Sequence, residues 1–502
     1  MTIRTRDSAK LVACHFRINC NIDSAVYMNI NCLNIYKTMN NHVVTVNPAN
    51  EQKISEYKNM TNDEVTEIVN KSKDAFREWK REIRKRSMTL LRLAEQLRKD
   101  KEHLARIASQ EMGKPIKESR LEIEKCAWAV EFYSYNGDIL LNNEALNSDA
   151  NKTMITFQPL GVIASIMPWN FPYWQALRFA APSLMAGNAI VLKPASATMQ
   201  CGIEIEKTIL KSGAPDGVFK TVIGNSKIAE MLIDSEIDGV TFTGSIEIGA
   251  KVAQRATSRL KKCVLELGGS DPFIVLNDAD VEKAASGAIK GRFLNCGQSC
   301  VASKRFIVLK KIANDFIESF VQKTEKLKVG DPLSDNTDIG PLSSMKSLEN
   351  IDSMVKDAIA LGGELLTGGE KIGSVGAFYK PTVIKNVNSN MRVSKEETFG
   401  PVAPIMIVED EVEAINAANN SDFGLGGSIW TRDLEKAQKL SMEMECGIVT
   451  VNNMVASDPR VPFGGIKRSG FGRELSRYGM LEFVNVKSVR FYDKLAYEHH
   501  GD

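Results

Sequence analysis

The feature that most limits the fold of this chain is the alternation of short apolar runs with amphipathic stretches between residues 160 and 267. The apolar runs predict strands at 161–167, 189–192, 218–223, 240–243 and 264–267. The stretches between them predict helices at 174–185, at 226–235, at 245–258 and in the segment that ends at 211. Elements in this order build a parallel sheet covered on both faces, and ligands bind such sheets beyond the carboxyl ends of the strands.

A second α/β block follows the first. Its predicted strands lie at 271–276, 305–309, 402–408 and 447–452, its helices lie at 280–294 and 312–327, and a Gly-rich stretch lies at 361–377. Before both blocks, apolar stripes at helical spacing predict helices from 62 to about 142. The sequence therefore predicts two α/β lobes with a cleft between them.

Composition limits the partners and the compartment. The 502 residues carry 64 Lys plus Arg against 62 Asp plus Glu, so the net charge of +2 provides no field that would attract nucleic acid or an anionic membrane. The chain has no run of about 18 uncharged apolar residues, and residues 1–39, an N-terminal extension of uncertain role, lack the apolar segment of a signal peptide. Nine cysteines without a CxxC pair are typical of a reducing compartment, so we expect a cytoplasmic protein.

Histidine is absent from the whole central part of the chain. The five histidines lie at 15, 42, 103, 499 and 500, so none lies between 104 and 498. A Ser-His-Asp or Cys-His hydrolase, or a histidine-ligated metal site, would need a histidine from one end of the chain. We therefore expect no metal, and acid-base chemistry in the middle of the chain must use carboxylates, Lys, Tyr or Cys.

A glycine-containing loop with two cysteines joins a predicted helix to a predicted strand at residues 293–300. Cys300 in this loop can act as a nucleophile if its surroundings stabilise the thiolate, and a buried structural cysteine is an equally good interpretation. A metal site formed by Cys296 and Cys300 is less favoured, because no second pair of ligands is present.

Polar groups follow three of the predicted strands. Glu266 ends an apolar strand, where burial would raise its pKa and make it a competent general base, although a solvated edge carboxylate is the alternative. Asn170 lies in the loop PWNFP and presents an amide donor of the kind that an oxyanion needs. Gly244 and Ser245, with Gly249 after them, form a glycine turn and a helix start that could hold phosphate on backbone N–H groups.

Together these motifs resemble those of the aldehyde dehydrogenase superfamily, over residues from about 44 to 495. Within it, the chain is similar to archaeal NADP-dependent glyceraldehyde dehydrogenases and to succinate-semialdehyde dehydrogenases. The motifs occur in order as PWNFP at 168–172, KPA at 193–195, FTGS at 242–245, LELGG at 265–269, GQSC ending at 300, EETFGP at 396–401 and PFGGIKRSGFGRE at 462–474. The resemblance implies an α/β fold with two parallel-sheet, Rossmann-like domains and a small β oligomerisation arm.

The resemblance also implies the chemistry. The Cys300 thiolate would attack an aldehyde carbon, and the Asn170 side chain and the Cys300 backbone N–H would hold the oxyanion. After hydride transfer to nicotinamide, Glu266 would activate the water that hydrolyses the thioester. The implied cofactor contacts are Lys193 at the adenosine ribose, Ser245 at the pyrophosphate, Trp169 at the nicotinamide end, Glu397 at the nicotinamide ribose and Phe399 beside the nicotinamide ring.

Three positions bear on specificity. NAD-preferring relatives usually have Glu where this chain has Ser196, and a small hydroxyl leaves room for a 2′-phosphate beside Lys193, so we expect NADP, with NAD as the alternative. Arg178 matches the position with which succinate-semialdehyde dehydrogenases hold the distal carboxylate, and an Arg packed in the cleft wall with another partner is an equal alternative. Leu294 stands where those enzymes commonly have a second Arg.

Because half of that carboxylate clamp is missing, the sequence favours a small hydroxyaldehyde as substrate, with oxidation of D-glyceraldehyde to D-glycerate as the preferred reaction. Succinate semialdehyde is the alternative substrate. From another class, Cys300 and Glu266 could serve a thioesterase-like hydrolase without redox chemistry.

The domain limits also come from the resemblance. It implies a cofactor-binding domain at 40–134 and 157–267, a catalytic domain at 268–475, and an oligomerisation arm at 135–156 and 476–495. The β-branched content of 153–156 and 483–486 fits edge pairing between chains, so we expect a homodimer or homotetramer.

Overall fold

The computed structural model describes residues 41–493, nearly all of them in one compact unit that starts at Val43. Its helices are α1 Asn62–Trp79, α2 Ile83–Lys99, α3 Lys101–Met112, α4 Ile116–Leu140, α5 Pro172–Ala186, α6 Met199–Lys211, α7 Ser226–Asp234, α8 Ile246–Thr257, α9 Val281–Phe293, α10 Lys310–Glu325, α11 Met345–Ala360, α12 Arg392–Lys395, α13 Glu411–Asn419, α14 Leu434–Glu443 and α15 Ser476–Leu481. Its strands are β1 His42–Val46, β2 Lys53–Lys58, β3 Glu144–Leu146, β4 Lys152–Pro159, β5 Val162–Ile166, β6 Ala189–Lys193, β7 Phe219–Thr221, β8 Gly239–Thr243, β9 Lys262–Glu266, β10 Asp271–Val275, β11 Ser303–Leu309, β12 Glu364–Thr367, β13 Thr382–Lys385, β14 Val402–Val408, β15 Phe423–Gly424, β16 Gly426–Trp430, β17 Ile448–Val451, β18 Ile466–Lys467, β19 Gly470–Phe471 and β20 Val484–Phe491.

The first α/β block forms a six-stranded sheet in the order β19-β9-β8-β5-β6-β7. Strands β5 to β9 are parallel, and the short β19 is antiparallel to β9. Every residue of β5, β6 and β8 is buried, as expected for parallel strands covered on both faces. The strands and helices predicted from the alternation are confirmed, with β7 shorter than its predicted run.

The second block forms a seven-stranded sheet in the order β12-β13-β14-β11-β10-β16-β17. All its pairs are parallel except the pair of the edge strand β12 with β13. The sequence does not predict β12, which lies inside the Gly-rich stretch 361–377. This strand is short and largely exposed, so it carries no run of apolar residues that would reveal it.

A three-stranded antiparallel sheet, β20-β4-β3, stands apart from the two large sheets. Residues 153–156 were expected to pair across chains, but they pair with β20 of the same chain, Thr153 opposite Arg490 and Thr156 opposite Lys487. The implied arm at 135–156 also starts inside α4, which continues to Leu140. The limits of the implied domains stay a prediction.

The candidate catalytic residues lie between the two large sheets. Asn170 follows the carboxyl end of β5, Glu266 ends β9, and Cys300 precedes the amino end of β11. Within residues 41–493, no helix combines the length and the apolar character needed to cross a membrane.

Candidate active site

Cys300 lies in the wall shared by two cavities. The first has a volume of about 240 Å³, and its lining includes the predicted residues Trp169, Asn170, Gly244, Ser245, Glu397 and Phe399. The second has a volume of about 150 Å³ and includes Arg178. A third cleft of about 800 Å³ contains Lys193 and Ser196. The thiol therefore faces two cavities. This arrangement suits a group that reacts with a ligand in one cavity while a second ligand is bound in the other.

The loop before Cys300 adopts an unusual backbone. Asn295 and Cys296 have φ values of 53° and 55°, and Gly297 has a φ of 72°. Three successive residues in the left-handed region turn the chain sharply after α9, at a conformational cost for the two non-glycine residues. The Asn295 side chain offsets this cost by donating to the Asn170 carbonyl at 2.7 Å. The strained turn thus joins the nucleophile loop to the PWNFP loop.

The Cys300 thiol is protonated in its resting environment. Burial raises its pKa to about 11, the cations Arg178 and Lys304 oppose this increase, and the carboxylates Glu397 and Glu266 add to it. A thiol with this pKa is almost fully un-ionised at neutral pH. Nucleophilic attack therefore requires a further change in the charges around the sulfur.

Asn170 is held from three directions. Its side-chain amide donates to the Gln298 carbonyl at 3.1 Å, so it already points at the nucleophile loop. Behind it, the buried Glu122 carboxylate accepts the backbone N–H groups of Tyr173 and Trp174, at 2.9 and 2.8 Å, at the start of α5. Lys114 forms an ion pair with Glu122 and donates to the Asn170 carbonyl at 3.4 Å. The loop is preorganised, as an oxyanion donor needs to be.

Glu266 is a buried carboxylate, so the solvated interpretation is wrong. It is 2% exposed, and neither carboxylate oxygen has a hydrogen-bond partner in the described chain. Its Oε1 lies close to Gly464, where an added Cβ would come within 2.7 Å of it. Burial raises the pKa of Glu266 well above its ordinary value, and the neighbouring Glu474 carboxylate adds to this effect.

The cavity on the Glu397 side has the polar and aromatic groups of a nicotinamide-ribose site. The Glu397 carboxylate accepts the Gly269 backbone N–H at 3.1 Å. The rings of Trp169 and Phe399 meet edge to face, with their centroids 5.7 Å apart. Ser245, the residue before α8, lies on the same wall, where the free backbone N–H groups of a helix start favour an anion.

The large cleft fits an adenosine group with a 2′-phosphate. Lys193 is buried at its edge and donates to the Pro194 carbonyl at 2.5 Å, and burial lowers its pKa to about 8. Ser196 presents a hydroxyl on the same wall, and Lys251 adds a second cation. The one carboxylate on the wall, Glu230, is paired with Arg255 at 3.2 Å.

Gly249 lies outside the walls of these three cavities. It lies in the first turns of α8 and is buried against Leu267, where an added Cβ would come within 2.4 Å of the leucine side chain. Its lack of a side chain allows close packing of α8 on the segment after β9, and the expectation that it helps to hold phosphate stays a prediction.

Arg178 lines the second cavity and also has a partner. Its guanidinium forms an ion pair with the buried Glu474 and lies 4.5 Å from the centroid of the Phe463 ring. Its Nη2 is buried without a hydrogen-bond partner in the described part of the chain. Arg178 therefore has the structural partner of the second interpretation, and its contact with a substrate carboxylate stays a prediction.

Lys125 on α4 is a cavity residue that the sequence does not single out. Its Nζ donates to Ser457 Oγ at 2.8 Å and lies 4.5 Å from the centroid of the Trp174 ring. Burial and repulsion from Arg178 lower its pKa to about 8. The available signal was its spacing from Glu118 and Glu122 along one helix face, which is informative only once α4 is known to line the cavity.

Two further buried cations join the nucleophile loop to the loop that carries Glu397 and Phe399. Arg292 and Lys304 are both fully buried and donate to backbone carbonyls on these loops. They lie outside the motifs that the sequence reveals, because a basic residue at the end of a helix or the start of a strand looks like an ordinary solvated charge.

Comparison with known proteins identifies the family. The model of the aldehyde dehydrogenase family matches residues 36–489. The chain belongs to the aldehyde dehydrogenase family. A protein of Synechocystis sp. named "Probable succinate-semialdehyde dehydrogenase [NADP(+)]" is 43% identical over 449 residues, which cover 89% of this chain and 99% of that protein. The "Succinate semialdehyde dehydrogenase [NAD(P)+] Sad" of Escherichia coli K12 is 41% identical over 450 residues, 89% of this chain and 97% of that protein.

Solved structures agree with this assignment. The succinic semialdehyde dehydrogenase of Streptococcus pyogenes, in complex with NADP+, superimposes with a TM-score of 0.87 at 35% identity, covering 90% of this chain and 100% of that chain. The expected aldehyde dehydrogenase fold and enzyme class are confirmed, and the relatives' names support the expected NADP cofactor. They support the alternative substrate, succinate semialdehyde, better than the preferred glyceraldehyde.

Proposed function

We propose that this aldehyde dehydrogenase oxidises succinate semialdehyde to succinate with NADP as the hydride acceptor. The substrate has an aldehyde at one end and a carboxylate at the other. The aldehyde end must reach Cys300 from the second cavity, so the carboxylate end must meet cations farther along the same cavity.

Lys125 is the observation that carries the proposal. No carboxylate of the described residues lies within 4.0 Å of its Nζ, whereas Arg178 is paired with Glu474. The two carboxylates on the wall are engaged, since Glu122 pairs with Lys114 and Glu118 accepts the Asn295 backbone N–H at 2.8 Å. The charge left over in the cavity is positive, which suits a substrate carboxylate.

This arrangement also accounts for the missing Arg at Leu294. Lys125, Arg178 and Ser457 all line the cavity that ends at Cys300, and Arg178 Nη2 is buried without a hydrogen-bond partner among the described residues. Together they form a carboxylate clamp in which a lysine from α4 takes the place of the second arginine. Glyceraldehyde has no charge that would pair with Lys125.

The first step is nucleophilic attack. The Cys300 thiolate sulfur bonds to the aldehyde carbon while the carbonyl electron pair moves to oxygen. The Asn170 amide and the Cys300 backbone N–H donate to that oxyanion. In the structure the Asn170 amide donates a hydrogen bond to the Gln298 carbonyl. It can therefore exchange this oxygen for the oxyanion without a large reorientation.

The second half of the reaction releases the acid. Nicotinamide, which Glu397, Trp169 and Phe399 would hold, would supply the hydride acceptor for the carbon bonded to Cys300, and a thioester to Cys300 would remain. Glu266 takes a proton from water as the water oxygen bonds to the thioester carbon, and the C–S bond breaks to return the thiolate. The raised pKa of Glu266 makes its carboxylate a stronger base than an exposed glutamate.

Ser196 and Lys193 support NADP as the preferred cofactor. A hydroxyl at position 196 leaves space for a phosphate, and Lys193 and Lys251, two of the three cations on the wall, compensate its charge. We also propose a cytoplasmic homodimer or homotetramer, which the free thiol state of the described cysteines and the arm sheet β20-β4-β3 support.

Substitution of Lys125 tests the substrate proposal. In Lys125→Met, KM for succinate semialdehyde should rise about tenfold to a hundredfold, because a charged hydrogen bond is worth about 1.5–3 kcal/mol. The kcat for that substrate and all constants for propionaldehyde should change little. Lys125→Arg keeps the charge and should retain most of the affinity.

The proposal would be contradicted by an equal loss for both aldehydes in Lys125→Met. It would also be contradicted by a wild-type enzyme that turns over succinate semialdehyde no better than propionaldehyde.

A further inference from the structure

Two buried cations join the loop that carries the nucleophile to the loop that carries Glu397 and Phe399. Arg292 donates to Ser303 at 3.1 Å and to the carbonyls of Gly297, Thr398 and Gly400 at 2.8, 3.1 and 2.6 Å. All of these acceptors are backbone carbonyls, so Arg292 fixes the two loops together permanently.

Lys304 joins the same two loops in a different way. Its Nζ donates to the carbonyls of Ser299 and Cys300, both at 2.7 Å, and forms an ion pair with Glu397 at 3.3 Å. Two of its partners are thus fixed carbonyls beside the nucleophile, and the third is a side chain. Glu397 also lines the cavity proposed for nicotinamide ribose, so this partner can be drawn away by a ligand.

We infer that Lys304 is a positioning residue that couples occupancy of the ribose site at Glu397 to ionisation of the Cys300 thiol. When Glu397 pairs with Lys304, the two charges largely cancel at the sulfur. When Glu397 turns to ribose hydroxyls, the lysine cation remains, held beside Cys300 by two carbonyls. The thiolate is then stabilised and the thiol proton passes to solvent.

The charges around Cys300 come from four different elements. Arg178 on α5 and Lys304 on β11 favour the thiolate, whereas Glu266 on β9 and Glu397 on the 396–401 loop disfavour it. Asp271 on β10 also faces Lys304 and is buried, with one oxygen accepting the Gly426 backbone N–H at 3.0 Å. Of the two carboxylates that oppose the thiolate, Glu397 is paired with a cation that touches the cysteine.

This coupling explains why the Cys300 thiol is protonated when no cofactor is bound. A thiol with a pKa raised to about 11 is protected from oxidation and alkylation until cofactor is present. Lys304 supplies the activating cation in a chain whose central part contains no histidine. Its role rests on Cys300 as nucleophile and Glu397 as ribose contact in the proposed function, but not on the identity of the aldehyde.

Thiol alkylation tests this role without any substrate. The rate of Cys300 modification by iodoacetamide is measured from pH 6 to pH 11 by peptide mass spectrometry, on cofactor-free enzyme. In Lys304→Met the thiol pKa should rise by at least about one unit, and in Glu397→Gln it should fall by a similar amount. Lys310→Met, a surface charge change on α10, should leave the profile unchanged.

Addition of NADP is the second part of the alkylation experiment. NADP should lower the thiol pKa of the wild-type enzyme, and it should have little further effect in Glu397→Gln, where Lys304 is already released. Lys304→Arg keeps the charge and should stay near the wild-type profile. Circular dichroism confirms that each variant is folded.

Opposite shifts in Lys304→Met and Glu397→Gln are the signature that a purely structural lysine would not produce. The inference is overturned if both variants shift the profile in one direction or if Glu397→Gln leaves it unchanged. If Lys304→Met does not fold, the Glu397→Gln profile alone decides the outcome. No aldehyde is present, so these results stand whether or not succinate semialdehyde proves to be the substrate.

Discussion

At the scale of single residues, Glu266 and its neighbours form a buried cluster in which the carboxylates outnumber the ion-pair partners. Glu266 and Glu474 are two buried carboxylates, and Arg178 is the cation that both face. Arg178 forms its ion pair with Glu474, so Glu266 is left without an ion-pair partner and is the stronger base of the two. The proposed base of the reaction is therefore the carboxylate without an ion-pair partner, whose pKa is raised by burial next to a like charge.

Substitution of that carboxylate should separate the two halves of the reaction. Glu266→Gln should give a burst of about one NADPH per active site, because attack and hydride transfer do not need the base. Steady-state turnover should then fall by at least about a hundredfold as the thioester accumulates. Rapid-mixing absorbance at 340 nm measures both phases.

Glu318→Gln, an exposed change on α10, is the control and should keep both phases of the wild-type progress curve. A full steady-state rate in Glu266→Gln would remove Glu266 from its role as base.

The charge state of Lys125 should appear in the pH dependence of substrate binding. Burial lowers its pKa to about 8, so the ammonium is charged below that pH and loses its proton as the pH rises through it. KM for succinate semialdehyde should therefore increase above about pH 8, whereas KM for propionaldehyde should not share this increase. Lys125→Arg remains charged and should keep KM for succinate semialdehyde flat to higher pH.

Parallel profiles for the two aldehydes would show that the titrating group is not part of the carboxylate site.

The chemistry of single residues was only partly visible in the sequence. Cys300, Asn170 and Glu266 stand in recognisable motifs, since each follows or precedes a strand that the alternation predicts. Lys125 and Lys304 act through tertiary neighbours that lie far away in the chain, so no local pattern marks them. Gly249 shows a different difficulty, because the same glycine near a helix start fits both close packing and phosphate binding.

At the scale of elements, the nucleophile loop depends on a glycine that cannot be replaced. Gly297 has a positive φ, and an added Cβ would lie 2.3 Å from the Gly400 carbonyl oxygen and 2.5 Å from Arg292 Nη2. Both atoms belong to the contacts that join the loop to its neighbour. A side chain there would force the two loops apart.

Gly297→Ala should lower both Tm and kcat, the latter by at least about tenfold, because Cys300 would shift relative to Asn170. Gly362 provides a matched control, since it has a φ of 97° and no atom within 4 Å of an added Cβ. Gly362→Ala should carry only the backbone strain, about 1–2 kcal/mol, without loss of kcat. Thermal unfolding and steady-state kinetics of the two variants provide the comparison, and equal effects on both would contradict the loop contact.

Elements with strong periodicity were predictable, and those without it were not. Strands β5, β6 and β8 are apolar throughout because both faces of the sheet are covered. The short edge strand β12 is exposed, so its residues resemble those of a loop. The pairing of β4 with β20 spans more than three hundred residues, and the same β-branched residues fit pairing within one chain or between two.

At the scale of the whole molecule, two cavities meet at the Cys300 sulfur, and a larger cleft forms a third compartment. Lys193 and Ser196 lie in the large cleft, Glu397 and Phe399 lie in the cavity beside Cys300, and Lys125 and Arg178 lie beyond it. The proposed order of adenosine, nicotinamide, thiol and carboxylate clamp matches the order of these compartments. The sequence predicted the lobes and the cleft, but only packing shows which charges remain unpaired inside it.

One comparison tests the central claim most directly. The kcat/KM of the wild-type enzyme is measured for succinate semialdehyde, D-glyceraldehyde and propionaldehyde, each with NADP and with NAD. The unpaired cation at Lys125 and the hydroxyl at Ser196 predict that succinate semialdehyde with NADP exceeds both other aldehydes by at least about tenfold. A higher kcat/KM for D-glyceraldehyde, or equal values for the charged and uncharged aldehydes, would contradict a carboxylate clamp in this enzyme.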